Sequence, residues 1–243
     1  MPLLIDGYNS EDLVSPPSEL VAYWKLGEAS GNAIDSKAGY DAVENGTVPS
    51  SSESPVGFST SRGAFDGNNN FEWDASGSSA TVFDASTFLV ECWVNFDSLA
   101  LGAMVAKQDG GGTNGWNLGL TAADKFIFFM YNWTLVSAAS ATTGGWHYVV
   151  GANRATSGAN ESRLYVNNAI ADQDTGFNFS AKTTRNLTIG AMDDGGLPFP
   201  RAIDGYIKDA AYWDLTGTSK SWSDIEAVIN ERYNDGAGRG YSL

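Results

Sequence analysis

The sequence contains little cysteine, histidine or positive charge, and each shortage excludes a class of function. Its 243 residues include one cysteine, which excludes an internal disulfide framework. With one histidine as well, a zinc site built from the usual ligands is not expected. There are 14 lysines and arginines against 29 aspartates and glutamates, which gives a net charge of -15. Because such a chain repels phosphate backbones, nucleic acid is not an expected partner.

Long apolar runs are also missing. No stretch of the chain is apolar enough to span a bilayer, so membrane insertion is not expected. The first residues, MPLLIDGYNSED, lack the basic start and the long apolar segment of a secretory signal. We therefore expect a trimmed chain, a cytosolic product, or a component released without a signal. Among these alternatives, we expect an extracellular or virion-surface location.

Glycine and aromatic residues are abundant, whereas charged residues make up only 18%. This composition favours many strands joined by glycine-rich turns, and ten segments from residue 20 onward have the pattern of strands. Asn167-Asn168 lies between two such runs and predicts a two-residue hairpin turn. The fold class predicted is all-β, a two-sheet antiparallel jelly-roll sandwich in one domain, residues 20 to 243.

The two ends of the chain depart from the strand pattern. Residues 1 to 19 end in SPPSE and are predicted to form an extended arm, which either frays or attaches the protein to a partner subunit. Near the C-terminus, SDIEAVINERYNDG predicts one short helix. Ser223 and Glu226 have the spacing of a capping box, and Gly236 suits the end of the helix.

One strand candidate, GYIKDAAYW, raises a question about a carboxylate. Alternation places Asp209 on the same face as Ile207, Ala211 and Trp213, which are apolar. A buried charge is costly unless it is paired, hydrogen-bonded or bound to a metal ion. Asp209 therefore needs either a cation or a protein partner.

The order of several segments resembles the laminin-G-like, concanavalin-A-like jelly-roll superfamily over roughly residues 20 to 236. These segments are AYWKLGEASGNAIDSKAGYDA, GAFDGNNNFEW, FLVECWVNF, GWHYVVGANR with SRLYVNNAIAD, LTIGA, and DGYIKDAAYWD followed by a helix. The resemblance implies two curved antiparallel sheets. Members of this superfamily are mostly binding modules for glycans or proteins, and a minority are glycoside hydrolases.

Many members of the family hold a structural calcium ion, to which an aspartate in the last core strand contributes. The matching position here is Asp209, so the resemblance implies a Ca²⁺ ligand there. Asp35 in AIDSKAG is a second, weaker candidate. The alternative for Asp209 is a set of hydrogen bonds to backbone amides, or a buried pair with lysine or arginine.

Catalysis is not expected. The hydrolases of the family carry a Glu-x-Asp-x-x-Glu strand, and no such spacing occurs in this chain. His147 lies in GWHYVV, where the resemblance implies a structural role, and Cys92 lies on an apolar face as a buried thiol. Glu91 has no second carboxylate beside it in the strand FLVECWVNF, where Trp93 shares its face.

The expected function is non-catalytic binding or adhesion, with carbohydrate or a surface glycoprotein as the partner. Aromatic rings can stack on sugars while amides and carboxylates bind hydroxyls, and the alternative for each tryptophan is a place in the core. The candidate residues in or beside loops are Trp116, Asn117, Asn132, Trp133, Asp193 and Asp194.

Two other functions remain as alternatives. One is a purely structural surface or decoration protein of a virion. Its N-terminal arm would attach it to a partner subunit, and the chain could also form a homo-oligomer. The other is a glycoside hydrolase of the same superfamily. Both the binding and the structural function can hold for one protein.

Overall fold

Strands make up most of the residues that the computed structural model describes, which are 18–37, 39–51, 61–66, 69–73, 81–108, 114–130, 133–156, 160–177, 185–192, 201–216 and 220–238. Within these residues lie fifteen strands and one helix, α1 (Trp222–Gly238). The strands are β1 (Leu20–Trp24), β2 (Val43–Asn45), β3 (Ser50–Ser51), β4 (Ser61–Asp66), β5 (Asn70–Trp73), β6 (Phe88–Ser98), β7 (Gly102–Gln108), β8 (Gly115–Leu120), β9 (Lys125–Met130), β10 (Trp133–Ser140), β11 (Trp146–Arg154), β12 (Asn160–Val166), β13 (Ala169–Phe177), β14 (Leu187–Ile189) and β15 (Asp204–Asp214).

The strands form two antiparallel sheets. The eight-stranded sheet has the order β13-β12-β11-β6-β15-β4-β3, and β1 also pairs with β15. The seven-stranded sheet has the order β10-β9-β8-β7-β14-β5-β2. This architecture confirms the predicted two-sheet antiparallel sandwich, while the short strands β2 to β5 were not predicted individually.

The core between the sheets is built from aromatic side chains of both. Phe88 of the eight-stranded sheet and Trp116 of the seven-stranded sheet have ring centroids 5.7 Å apart, and Trp116 stacks on Tyr212 at 5.5 Å. Gly151 lets the sheets approach, because a Cβ there would overlap the ring of Phe128. Cys92 is fully buried here, and burial raises the pKa of its thiol, as expected of an inert residue.

Helix α1 covers the outer face of the eight-stranded sheet. Ile225 and Ile229 of the helix pack in one buried cluster with Trp93 and Trp213 of the sheet. The predicted capping box of Ser223 and Glu226 is wrong, and the helix is capped two residues earlier: Ser221 Oγ accepts the N–H of Asp224 at 3.3 Å, and Asp224 accepts the N–H of Ser221 at 2.8 Å. Among the described residues, no helix has the length and apolar character needed to cross a membrane.

The predicted hairpin at Asn167-Asn168 is confirmed. Val166 of β12 pairs with Ala169 of β13, and the two asparagines have φ angles of 50° and 63°. Both values lie in the left-handed region, which a type I′ turn requires and asparagine tolerates. The turn therefore fixes the register between β12 and the edge strand β13.

The predicted face of β15 is wrong, because a β-bulge interrupts the strand. Its pairing with β6 shifts register between Lys208 and Ala211, and Asp209 has a φ of 52°. One extra residue reverses the alternation of the side chains beyond it. Ile207 therefore faces the core between the sheets, whereas Ala211 and Trp213 face the cluster under the helix.

The predicted N-terminal arm lies mostly outside the described residues, which begin at Ser18. The carbonyl of Glu19 accepts the N–H of Asp214 at 2.8 Å, and its carboxylate lies 3.4 Å from Lys220 Nζ. Glu19 is therefore held against the end of β15 and the start of the helix.

A buried carboxylate holds the helix on the sheet. Glu91 in β6 has no exposed surface, and its Oε1 accepts hydrogen bonds from Arg232 Nε at 2.9 Å and Trp213 Nε1 at 3.0 Å. The hydroxyl of Tyr148 donates to Oε2. Burial, and then the Glu91 charge, raise the pKa of Tyr148, so its hydroxyl stays a donor. Arg232 comes from α1, so this cluster joins helix to sheet.

We expect Arg232→Ala to destabilise the protein strongly. The substitution leaves the Glu91 charge buried without its cation, which costs about 3–5 kcal/mol. Urea unfolding measures the loss. The matched control is Arg154→Ala, which breaks a half-exposed ion pair with Glu161 (30% and 34% exposed side chains) and should cost about 1 kcal/mol or less. Equal, small losses for the two variants would contradict this role of Arg232.

Candidate functional site

A cleft of about 380 Å³ opens where β12 and β13 meet the first turn of α1. Register pairs Arg163 with Gln173 and Glu161 with Thr175, so these four side chains share the outer face of the sheet. Trp222 closes the cleft from the helix. Its lining residues are Glu161, Ser162, Arg163, Gln173, Asp174, Thr175 and Trp222.

Arg163 is held rigidly in the wall of the cleft. Its guanidinium carbon lies 4.0 Å from the centroid of the Trp222 ring, and its Nη1 lies 2.5 Å from Glu226 Oε1. The hydroxyl of Tyr165 donates to the same oxygen at 3.1 Å. Burial is the main cause that raises the pKa of Tyr165 to about 12, so this donor persists at neutral pH.

Glu161 connects the helix to the neighbouring strand. Its Oε2 accepts hydrogen bonds from Trp222 Nε1 at 2.6 Å and from Arg154 Nη1 at 2.8 Å. Arg154 Nε donates in turn to the carbonyl of Lys220 at 3.0 Å, just before the helix. The charged groups of the cleft are therefore fixed before any ligand arrives.

Gln173 and Thr175 complete the cleft with exposed polar side chains on the edge strand β13. An amide offers both donors and an acceptor, and a hydroxyl offers one of each. Together with the indole of Trp222, they give a wall that can bind a ligand rich in hydroxyl groups.

The residues predicted to bind sugar do not form one site. Trp116 is fully buried and donates to the carbonyl of Phe83 at 3.0 Å, so it has no face for a sugar and takes the core position given as its alternative. Asn117 lies on the outer face of the seven-stranded sheet, is 4% exposed, and donates to Gln108. Its Oδ1 is buried without a hydrogen-bond partner. Asn132, Asp193 and Asp194 lie outside the described residues.

Of the predicted residues that the structure describes, Trp133 is the one that reaches the surface, with the residue 45% exposed. It pairs with Met130, whose Sδ accepts a hydrogen bond from Ser162 Oγ at 4.0 Å. Ser162 pairs with Asp174, so Trp133 and Asp174 lie at the same end of the edge between the two sheets. Trp133 therefore lies at the edge between the two sheets and does not line the cleft on the outer face.

The two predicted calcium ligands are occupied by hydrogen-bond donors of the protein. Asp35 accepts the backbone N–H of Tyr23 at 2.8 Å, of Lys37 at 3.0 Å and of Tyr40 at 3.0 Å. Asp209 is 4% exposed and accepts the hydroxyl of Tyr23 at 2.7 Å. Among the described residues, no group of three or more histidine, cysteine, aspartate or glutamate side chains is placed to hold a metal ion.

The only histidine of the chain sits at one end of the sandwich. His147 Nε2 lies 3.1 Å from the carbonyl of Thr142 and 3.2 Å from its hydroxyl. Burial lowers the pKa of His147 more than the Thr142 contact raises it, and the ring packs edge-on to Phe126 at 5.2 Å. These contacts describe a histidine packed by its neighbours.

Melting curves test whether Asp35 or Asp209 binds calcium, as the family resemblance implies. Because N–H groups already donate to Asp35 and the Tyr23 hydroxyl already donates to Asp209, we expect the same melting temperature in excess calcium and in chelator. A calcium-dependent rise in melting temperature that Asp209→Asn or Asp35→Asn removes would show that the carboxylate binds the cation.

The fold and the comparisons define the class of protein. A family model described as the concanavalin A-like lectin/glucanases superfamily (Laminin_G_3) matches residues 65–221, and the chain belongs to this family. No curated protein matches it in sequence.

Solved structures share the fold at low identity. Domain 4 of AbnA, a GH43 extracellular arabinanase from Geobacillus stearothermophilus, is 12% identical with a TM-score of 0.56, over 81% of this chain and 92% of that one. Trypanosoma rangeli sialidase is 14% identical with a TM-score of 0.60, over 91% of this chain and 34% of the sialidase. The structure of botulinum neurotoxin type C is 13% identical with a TM-score of 0.54, over 87% and 51%. The chain thus spans about a third of the sialidase and half of the toxin chain.

Proposed function

We propose that this protein is a non-catalytic module that binds carbohydrate in the cleft between β12, β13 and α1. The observation that carries the proposal is the set of groups in that cleft: an indole beside a fixed arginine, a carboxylate, an amide and a hydroxyl. Sugars present hydroxyls to planar polar groups and apolar C–H surfaces to aromatic rings. A wall fixed in advance also lowers the entropy that binding would cost.

The similar structures support a glycan as the class of ligand. Domain 4 of AbnA was solved in complex with arabinotriose. A carbohydrate-binding module (CBM40) of the IT-sialidase from Ruminococcus gnavus, 15% identical with a TM-score of 0.50 over 65% of this chain and 90% of that one, was bound to α2,3-sialyllactose. Entry of botulinum neurotoxin type C depends on two ganglioside molecules. This support rests on fold analogy, so the cleft itself is the stronger argument.

The carboxylates of the cleft favour binding over hydrolysis. Glu161 is engaged by Trp222 and Arg154, and Glu226 by Arg163 and Tyr165. A glycosidase needs one carboxyl group that donates a proton to the leaving oxygen and a second that attacks or activates water. A carboxylate that already accepts hydrogen bonds from an arginine and a second donor is unsuited both to proton donation and to attack or activation of water. The virion decoration and adhesion roles stay predictions.

A glycan array followed by calorimetric titration tests the proposal. We expect the double variant Gln173→Ala/Thr175→Ala to weaken binding of the best array glycan about tenfold or more, because two hydrogen bonds of about 1 kcal/mol each are lost. Both residues are exposed, so the melting temperature should not change.

Two further variants make the test specific. Thr143→Ala changes an exposed threonine beside Phe96, at the end of β6 opposite to the cleft, and should leave binding intact. Trp133→Ala tests the other surface aromatic. Binding that is lost in Trp133→Ala and kept in the double variant would place the site at Trp133 instead of the cleft. An array without any bound glycan would overturn the proposed function.

A further inference from the structure

The chain contains two asparagines that are followed by glycine, in Asn45-Gly46 and Asn114-Gly115. Such an asparagine can lose its side-chain amide without an enzyme, because glycine has no Cβ that would keep its backbone nitrogen away from the asparagine side chain. In a folded protein the reaction also requires the backbone of the pair to leave its native conformation, which costs little at a fraying edge and much in a central strand. The structure places the two pairs in these two different surroundings.

Asn45-Gly46 lies at the end of an edge strand. Asn45 is the last residue of the three-residue strand β2, which pairs with β5 alone. Gly46 is exposed with a φ of 72°, and within the described part of the chain its N–H donates no hydrogen bond. The chain is held again at Thr47, whose carbonyl accepts Asn69 Nδ2 at 2.8 Å. The Gly46 nitrogen is therefore free to turn toward the Asn45 side chain when the end of β2 frays.

Asn114-Gly115 lies at the start of a central strand instead. Gly115 is the first residue of β8, which is hydrogen-bonded to β7 on one side and to β9 on the other. Gly115 is buried and pairs with Gln108, and the next residue, Trp116, has no exposed surface. Because the Gly115 nitrogen can turn toward Asn114 only if this strand end and its tryptophan are displaced, local opening costs far more here.

We infer that Asn45 is a site of spontaneous deamidation in the folded protein. The Gly46 nitrogen attacks the side-chain carbonyl carbon of Asn45, so a C–N bond forms between them. The bond from that carbon to Nδ2 breaks, and the amide proton of Gly46 goes to the leaving nitrogen, which departs as ammonia. Water then adds to either carbonyl of the cyclic imide and opens it to aspartate or to isoaspartate.

The product weakens the pairing of β2 with β5. Asn45 Nδ2 donates to Glu72 Oε2 at 2.9 Å, and deamidation replaces that donor by a second carboxylate. Like charges on neighbouring strands are destabilising. Isoaspartate in addition lengthens the backbone by one carbon opposite Asn70, which is fully buried. None of these residues lines the cleft, so the modification is independent of the proposed glycan binding.

Peptide mapping by mass spectrometry of protein kept at mildly alkaline pH tests the inference, with Asn114 as the control inside the same chain. In the folded protein we expect Asn45 to convert about tenfold or more faster than Asn114, because an edge strand opens more readily than a central one. In concentrated urea both pairs lose their structure, so the two rates should become similar. An Asn114 that converts as fast as Asn45 in the folded protein would overturn the inference, as would an Asn45 that stays intact while the urea-unfolded chain converts.

Two variants test the consequence for β2. Asn45→Asp introduces the carboxylate directly and should lower the melting temperature, as prolonged storage of the wild type should. Asn45→Gln keeps an amide, but its longer side chain would have to close a larger ring, which forms far more slowly. The melting temperature of Asn45→Gln should therefore not fall on storage. An equal fall in the stored wild type and in stored Asn45→Gln would contradict a loss of stability that originates at Asn45.

Discussion

Glu91 lies on a central strand without exposed surface, and a carboxylate is stable there because Arg232, Trp213 and Tyr148 all donate to it. Glu91, Trp213 and Tyr148 belong to the eight-stranded sheet, and Arg232 belongs to the helix. Since removal of one partner of a buried ion pair leaves the other uncompensated, the helix has one strongly preferred position on the sheet. The first turn of that helix carries Trp222, so the wall of the cleft follows from this contact.

The helix thus buries the outer face of the eight-stranded sheet, where a second hydrophobic core forms. Tyr23 illustrates how closely its polar groups are connected: its hydroxyl donates to Asp209, its ring lies 5.0 Å below the Arg232 guanidinium, and its N–H donates to Asp35. The two aspartates that the family resemblance suggested as calcium ligands are both anchored to this one residue. Their burial is explained by protein donors.

Local patterns in the sequence predict much of the fold. Period-two alternation identifies the long strands, Asn167-Asn168 identifies a hairpin, and the helical spacing of Ile225 and Ile229 identifies the helix. The bulge at Asp209 could not be predicted in this way, because alternation says nothing about where one residue is inserted. The Glu91–Arg232 pair joins residues far apart in the chain, and no local pattern connects them.

The candidate site escaped prediction for a related reason. Sequence reasoning looked for tryptophan, amide and carboxylate side chains in or beside loops, and Trp116 proved to fill the core. The cleft instead combines an edge strand, its neighbour and a helix start, and only the register of β12 and β13 places Arg163 beside Gln173. The missed signal was Trp222, an aromatic residue immediately after the helix cap Ser221.

The most direct test of the account is a backbone NMR titration of the protein with the best glycan from the array. The account predicts that the largest shift changes fall on Glu161, Arg163 and Gln173, together with the indole N–H of Trp222, and saturate with one affinity. Changes centred on Trp133, or on Asn117 at the outer face of the seven-stranded sheet, with the cleft unperturbed, would contradict it.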